Sequence, residues 1–84
     1  MNLTDRIKNI NDRATLAQFL IELRNDLIEN PDQWTNKDLK SFLEAASGWI
    51  IDMDGYYTNQ GKEINEVPSW SMIGEIFLAA RIYE

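Results

Sequence analysis

Two aspartates, a glycine and two tyrosines stand together where an apolar helical pattern ends: Asp52, Asp54, Gly55, Tyr56 and Tyr57. Carboxylates can bind calcium, exchange protons or attract a basic partner, so this segment is where the sequence could do chemistry. The local rules of structure conflict here, and such conflicts tend to mark strain or function.

Calcium binding is the first chemistry that the aspartates suggest. With Asp52 at the first position of an EF-hand loop, Asp54 takes the third and Glu63 the twelfth. The fifth position is then Tyr56, which has no carboxylate, and the sixth, which requires glycine for a sharp turn, is Tyr57. We therefore expect no metal site and no cofactor.

Paired-carboxylate catalysis is the second possibility. In a helix Asp52 and Asp54 point about 200° apart, so they cannot share one proton or one water. The chain has no histidine and no cysteine, which excludes imidazole acid–base catalysis, thiol nucleophiles and the usual zinc sites. We expect a protein that is not an enzyme.

Partner binding is the third possibility, and it depends on where the helix ends. If the helix stops at Gly55, both aspartates lie in its last turn, where the helix dipole disfavours negative charge. An exposed acidic site for a basic partner would then be a functional interpretation. If the helix continues to Tyr57 or Asn59, the acids are ordinary mid-helix residues. Glycine is common just after a helix end, which slightly favours the stop. The candidate partner-binding residues are Asp52, Asp54, Tyr56, Glu63 and Glu66.

The elements that position these residues are all predicted to be helical. The apolar spacing predicts three main helices, at about residues 13–29, 36–54 and 69–83, plus a short N-terminal helix. The pair Asn11-Asp12 offers an N-cap for the first long helix, and Asn30-Pro31 ends that helix. Thr35 and Ser69 are candidate N-caps of the next two helices. The core stripe of the third helix is predicted to contain Leu39, Phe42, Leu43, Ala46, Ile50, Met53 and Tyr57, and all three tryptophans are expected in the core. The last helix is apolar around more than half its circumference, which predicts a central position. Residues 1–84 therefore form a single all-α domain, a small helical bundle.

Charge narrows the classes of partner. The 84 residues carry a net charge of −6; residues 1–42 hold seven acidic and six basic side chains, and residues 43–84 hold seven and two. An acidic surface repels phosphates, so no nucleic-acid partner is expected. It could steer a basic protein into contact, although it also serves solubility.

No apolar stretch approaches the roughly 20 residues of a membrane span, and residues 1–5 show no signal peptide. We expect a cytoplasmic protein with no membrane partner.

A family resemblance rests on Trp34-x-Asn36-x-x-Leu39-x-x-Phe42-Leu-Glu-Ala, Trp49-x-x-Asp52, Pro68-Ser-Trp70 and the terminal Tyr83-Glu84. These motifs resemble an uncharacterised family of small bacterial proteins, a domain of unknown function. The resemblance implies a bacterial, cytoplasmic helical domain and brings no known activity, cofactor or catalytic residue.

A protein-binding module is the leading functional interpretation, with an unidentified protein as its partner and a basic surface as one candidate for that partner. One version is an immunity-type or antitoxin-type inhibitor of a basic enzyme, by analogy of size, charge and composition with the immunity proteins of nuclease bacteriocins, which use a tyrosine pair together with acids. A small-molecule binder, or an enzyme without histidine or cysteine chemistry, with a pocket between the last two helices, is the competing class. A homo-oligomer also stays open.

Overall fold

The structure is a computed structural model that describes residues 2–64 and 66–84. Within these ranges the chain forms four α-helices and no strand, as the sequence predicts. The helices are α1 (Leu3–Arg6), α2 (Arg13–Glu29), α3 (Leu39–Asn59) and α4 (Trp70–Ala80). Short 3-10 turns at Ile7–Asn9 and Pro31–Gln33 follow α1 and α2. In the described part of the chain, no helix combines the length and apolarity needed to cross a bilayer.

Helix α2 has the predicted bounds. The Asp12 side chain accepts a hydrogen bond from the Thr15 amide at 2.8 Å, and the Thr15 hydroxyl accepts one from the Asp12 amide at 3.1 Å. This reciprocal capping satisfies amides that have no partner within the helix. The helix ends at Glu29, before Asn30 and Pro31, because proline disfavours helical geometry in the residue that precedes it.

Helix α3 begins at Leu39 rather than at residue 36 as predicted, and its N-cap is Asp38 rather than Thr35. The Asn36 side chain instead donates hydrogen bonds to the carbonyls of Ala80 and Tyr83, at 3.0 and 2.9 Å. The amides of Thr35 and Asn36 both donate to the carbonyl of Arg81. These bonds serve carbonyls at the end of α4 that would otherwise lack partners, and they hold residues 35–36 out of the helix.

The prediction that α3 stops near residue 54 is wrong, because the helix continues through Gly55 to Asn59. Met53 is buried, and Tyr57 is half-buried with its hydroxyl bonded to Glu75 of α4. The packing of these two side chains stabilises one more turn of α3. It outweighs the weak preference of Gly55 to end the helix. The turn comes instead at Gly61, whose φ of +73° is a conformation that glycine adopts without strain. The polar loop between α3 and α4 therefore starts after Asn59, and its residue Asn65 lies outside the described residues.

Helix α4 is the central element, as predicted. It starts where expected, with the Ser69 hydroxyl accepting from the Met72 amide at 3.0 Å, but its last helical residue is Ala80 rather than Tyr83. It packs against α2, α3 and the 3-10 turn after α1. The absence of a side chain at Gly74 allows the close approach of Ile10.

The core lies around α2, α4 and the turns, and its main buried cluster is Ile10, Phe19, Leu23 and Trp34. Trp34 stacks on Phe42, and Phe42 stacks on Phe77, each with ring centroids 6.1 Å apart. Three members of the predicted α3 core stripe are not in the core: Leu39, Leu43 and Ile50 have exposed fractions of 71%, 58% and 51%. Trp70 is also exposed rather than buried. The stripe is wider than α4, the main neighbour of α3, so one edge of it stays in solvent.

Candidate functional site

Helix α3 presents two flanks to the solvent, and the predicted site residues divide between them. Because Asp52, Asp54 and Tyr56 are all helical, Asp54 points about 200° away from Asp52, whereas Tyr56 lies within about 40° of it. Asp54 lies on the side of Ile50, here called the groove flank. Tyr56 lies on the side of Trp49, here called the cleft flank. The five predicted residues therefore do not form one continuous site.

On the groove flank, Asp54 and Glu66 line the same groove. Its volume is about 290 Å³, and its other walls come from α3, α4 and the loop between them; they include Ile50, Ile51 and Ile76. Asp54 accepts a hydrogen bond from the adjacent Gly55 amide at 2.8 Å. No lysine or arginine is among the described residues that line this groove. The groove is apolar in its walls and acidic in its charges.

An apolar row leads into this groove along α3. Leu39, Leu43 and Ile50 lie within about 40° of one another around the helix axis, since successive residues turn by about 100°. All three are more than half exposed. Single apolar side chains on a surface are ordinary, but a continuous apolar surface marks an interaction site. The helical spacing of these residues predicts a core position, but spacing alone does not distinguish a buried face of a helix from an exposed apolar one.

Asp52 is bound to the C-terminal segment. Its carboxylate accepts a hydrogen bond from the Tyr83 hydroxyl, and this bond is the main reason that the pKa of Tyr83 lies above its usual value of 10.0. The Tyr83 ring also packs edge-on against Trp49, with centroids 5.4 Å apart. The carboxylate of Asp52 therefore has a structural partner within the chain.

Tyr56 borders a separate cleft on the other flank. Its ring lies 5.1 Å from that of Trp49 and 5.9 Å from that of Tyr57. The Tyr57 hydroxyl donates to Glu75 at 3.3 Å. Burial, followed by the nearby Glu75 carboxylate, raises the pKa of Tyr57 above 10.0. Tyr56 thus belongs to an aromatic cluster.

Glu63 lies apart from both flanks. It is exposed in the loop after Gly61 and lines neither the groove nor the cleft. The EF-hand arrangement considered for Asp52 to Glu63 is not formed, because Asp52 to Asn59 is helix. Across residues 2–64 and 66–84, no three carboxylates, histidines or cysteines come together as a metal would require.

Comparison with known proteins and protein families relates most of the chain to a family. The model of a family of unknown function, DUF7660, matches residues 12–84. Neither a curated protein nor a solved structure matches the chain. The matched residues include α2, α4 and both flanks of α3, and they exclude the first eleven residues.

Proposed function

We propose that this chain, which belongs to the DUF7660 family of unknown function, is a protein-binding module that takes up a basic amphipathic helix. The groove flank of α3 is the proposed binding surface. The observation that carries the proposal is the exposed apolar row Leu39, Leu43 and Ile50, which leads into a groove whose described lining includes acidic residues and no basic one. We retain the expectation of a cytoplasmic location, since a chain without cysteine suits a reducing compartment.

The dimensions of the row favour a helical partner. From Leu39 to Ile50 the row runs about 16 Å along α3, which equals three turns of a second helix. Apolar side chains spaced three and four residues apart on such a partner would lie along the row, as in other complexes in which a helix occupies a groove. Burying the exposed parts of Leu43 and Ile50 would supply the apolar contribution to the binding free energy.

The charges specify the chemistry of the partner and its direction. Asp54 and Glu66 lie at the Ile50 end of the row and not at the Leu39 end. A lysine or arginine near one end of the partner helix would therefore meet both carboxylates, which fixes how the helix is oriented. The net charge of −6 would increase the rate of encounter with such a segment.

The inhibitor version of this function requires acids and tyrosines on one face. Asp54 and Tyr56 lie on different flanks of α3, and Asp52 is bound to Tyr83. The groove by itself supports a general binding module better than an inhibitor that uses a tyrosine pair.

A titration with designed peptides tests the proposal. The probe is a helical peptide of leucine and lysine in an amphipathic pattern, and its counterpart replaces every lysine with glutamate. We expect the lysine peptide to shift the NMR signals of Leu43, Ile50 and Ile51, and the glutamate peptide to shift none. Signals that move mainly on α2 would overturn the proposal.

Matched variants make the test specific. Leu43→Ser combined with Ile50→Ser should weaken binding of the lysine peptide at least tenfold, because two apolar contacts are lost. The control is Ile21→Ser with Ile28→Ser, which removes two exposed isoleucines of α2 at the same helical spacing. Equal weakening by both pairs would contradict the proposal. Once the surface is confirmed, affinity capture with mass spectrometry can identify the natural partner by comparing both pairs.

A further inference from the structure

A cleft of about 490 Å³ lies on the cleft flank of α3, away from the proposed protein-binding groove. Trp49, Tyr56 and Tyr57 contribute aromatic surface to it, and Ile7 and Leu78 contribute aliphatic surface from the first 3-10 turn and from α4. The volume is within the range of small-molecule sites, which are mostly apolar with a few placed polar groups. Its volume and its apolar walls therefore suit a compound of one or two rings.

The charge around this cleft is opposite to that of the protein as a whole. Three of the eight basic residues of the chain line it, together with only one of the fourteen acidic residues. The three bases come from distant parts of the sequence: Lys8, Lys62 and Arg81. A chain with a net charge of −6 thus has a local excess of positive charge beside its largest group of clustered aromatic rings.

Two of these three bases are available to a ligand. The guanidinium of Arg81 is paired with Asp26 at 3.5 Å and lies over the Trp34 ring, so it is already engaged. Lys8 and Lys62 are exposed, and neither forms an ion pair with another described residue. The single acid, Glu75, accepts the hydrogen bond of Tyr57. The two lysines therefore determine the sign of charge that the cleft attracts.

The indole N–H of Trp49 is a further unusual feature of this cleft. The nitrogen is buried and has no acceptor among the described residues. Buried donors in native proteins almost always have an acceptor, so an indole N–H without one calls for an explanation. The indole also gives the cleft its own spectroscopic signal.

We propose that this cleft binds a small planar aromatic anion, with its ring against Trp49 and Tyr56 and its carboxylate or similar anionic group near Lys8 and Lys62. Aromatic rings alone would equally suit a cation, but two unpaired lysines repel one. An aliphatic anion would satisfy the lysines and leave the rings without a stacking partner. The combination of rings and lysines selects a ligand that is both aromatic and negatively charged.

Three probe compounds test this chemistry on the intact chain. They are 2-naphthoate, its neutral amide 2-naphthamide, and choline, each titrated while the Trp49 indole N–H signal is followed by NMR. We expect 2-naphthoate to shift this signal and to bind at least fivefold more tightly than the amide, with the difference decreasing as salt is added. Binding of choline with no binding of 2-naphthoate would overturn the proposal, as would equal binding of acid and amide.

Charge-matched variants separate this site from general attraction. Lys8→Gln with Lys62→Gln should weaken 2-naphthoate binding about tenfold, since both attractive charges are removed. The control, Lys37→Gln with Lys40→Gln, changes the net charge equally at exposed residues outside the cleft. Equal weakening by both pairs would refute the site. The serine variants of Leu43 and Ile50 should bind 2-naphthoate normally, so this proposal and the protein-binding proposal can fail independently.

Discussion

On one flank of α3, Ile50 and Asp54 line a groove in which every charged residue that the structure describes is acidic. On the other flank, Trp49 and Tyr56 line a cleft bordered by lysines. The cleft flank is held by ring contacts and by the Tyr57–Glu75 hydrogen bond. The groove flank presents apolar side chains that touch little of the protein. Trp49 and Ile51 are only two residues apart in sequence, but they therefore differ in role. Trp49 should matter for the stability of the fold, and Ile51 mainly for binding of a protein partner.

The largest expected effect is the loss of the Trp49 side chain. Trp49→Ala removes the ring contacts with Tyr56 and Tyr83, and we expect the free energy of unfolding to fall by about 3 kcal/mol. Urea unfolding followed by circular dichroism measures this. An unchanged unfolding midpoint would mean that the cleft flank contributes no more to stability than the groove flank does.

Substitution of Gly55 by alanine should change the free energy of unfolding by a smaller amount and in the opposite direction, toward greater stability. Gly55 lies within α3, and a Cβ added there would meet no atom within 4 Å. We expect Gly55→Ala to raise the free energy of unfolding by about 0.5–1 kcal/mol, because alanine favours the helix.

The control for Gly55 is Gly61→Ala, measured by the same thermal unfolding. Gly61 has a φ of +73°, so a side chain there is strained and the variant should be less stable than the parent. Destabilisation by Gly55→Ala would show that α3 does not extend through Gly55 as described.

Loss of the hydrogen bond of Tyr57 should change the free energy of unfolding by an amount that depends on pH. The pKa of Tyr57 is raised above 10.0 in the folded protein, first by burial and then by Glu75. A group whose pKa is higher in the folded protein than in the unfolded chain stabilises the fold at pH values below the pKa of the unfolded chain. This stabilisation is lost as the pH rises through the pKa of the folded protein. Tyr57→Phe should cost about 0.5 kcal/mol at neutral pH and weaken the decline in stability above pH 10. A decline of unchanged steepness in the variant would assign it to other groups.

The smallest effect is expected at Ile51. With 72% of its surface exposed, Ile51→Ser should change the free energy of unfolding by less than about 0.5 kcal/mol. The same variant should weaken binding of the leucine–lysine peptide. A loss of stability near that of Trp49→Ala would remove the distinction between the flanks.

The sequence predicts the helices well where local signals and packing agree. The bounds of α2 follow from Asp12 and Pro31, and the central position of α4 follows from its apolar composition. The start of α3 could not be predicted, because Asn36 is held by carbonyls more than 40 residues away in sequence. Its end could not be predicted either, because burial of Met53 and Tyr57 against α4 outweighs the preference of Gly55.

The candidate site was predictable only in part. Asp54 and Glu66 are brought together as the acidic lining of the groove, whereas Asp52 and Tyr56 have partners of their own inside the fold. The apolar row was visible in the sequence, but helical period alone does not say which edge of a wide stripe lies in solvent. The cleft was not visible, because Lys8, Lys62 and Trp49 are brought to one place only by the packing of α3 and the first turn against α4.

The central position of α4 has a consequence for how the protein responds to being cut. Helices α2 and α3 pack mainly on α4, and the chain reaches α4 through the polar loop that follows α3. Cleavage within that loop would leave two fragments, each without a complete core. The fold would then depend on association of the fragments, so its stability would rise with their concentration. Folding of the cut protein would then be a binding equilibrium between two molecules, in which the fragment with α4 binds to the fragment with the other helices.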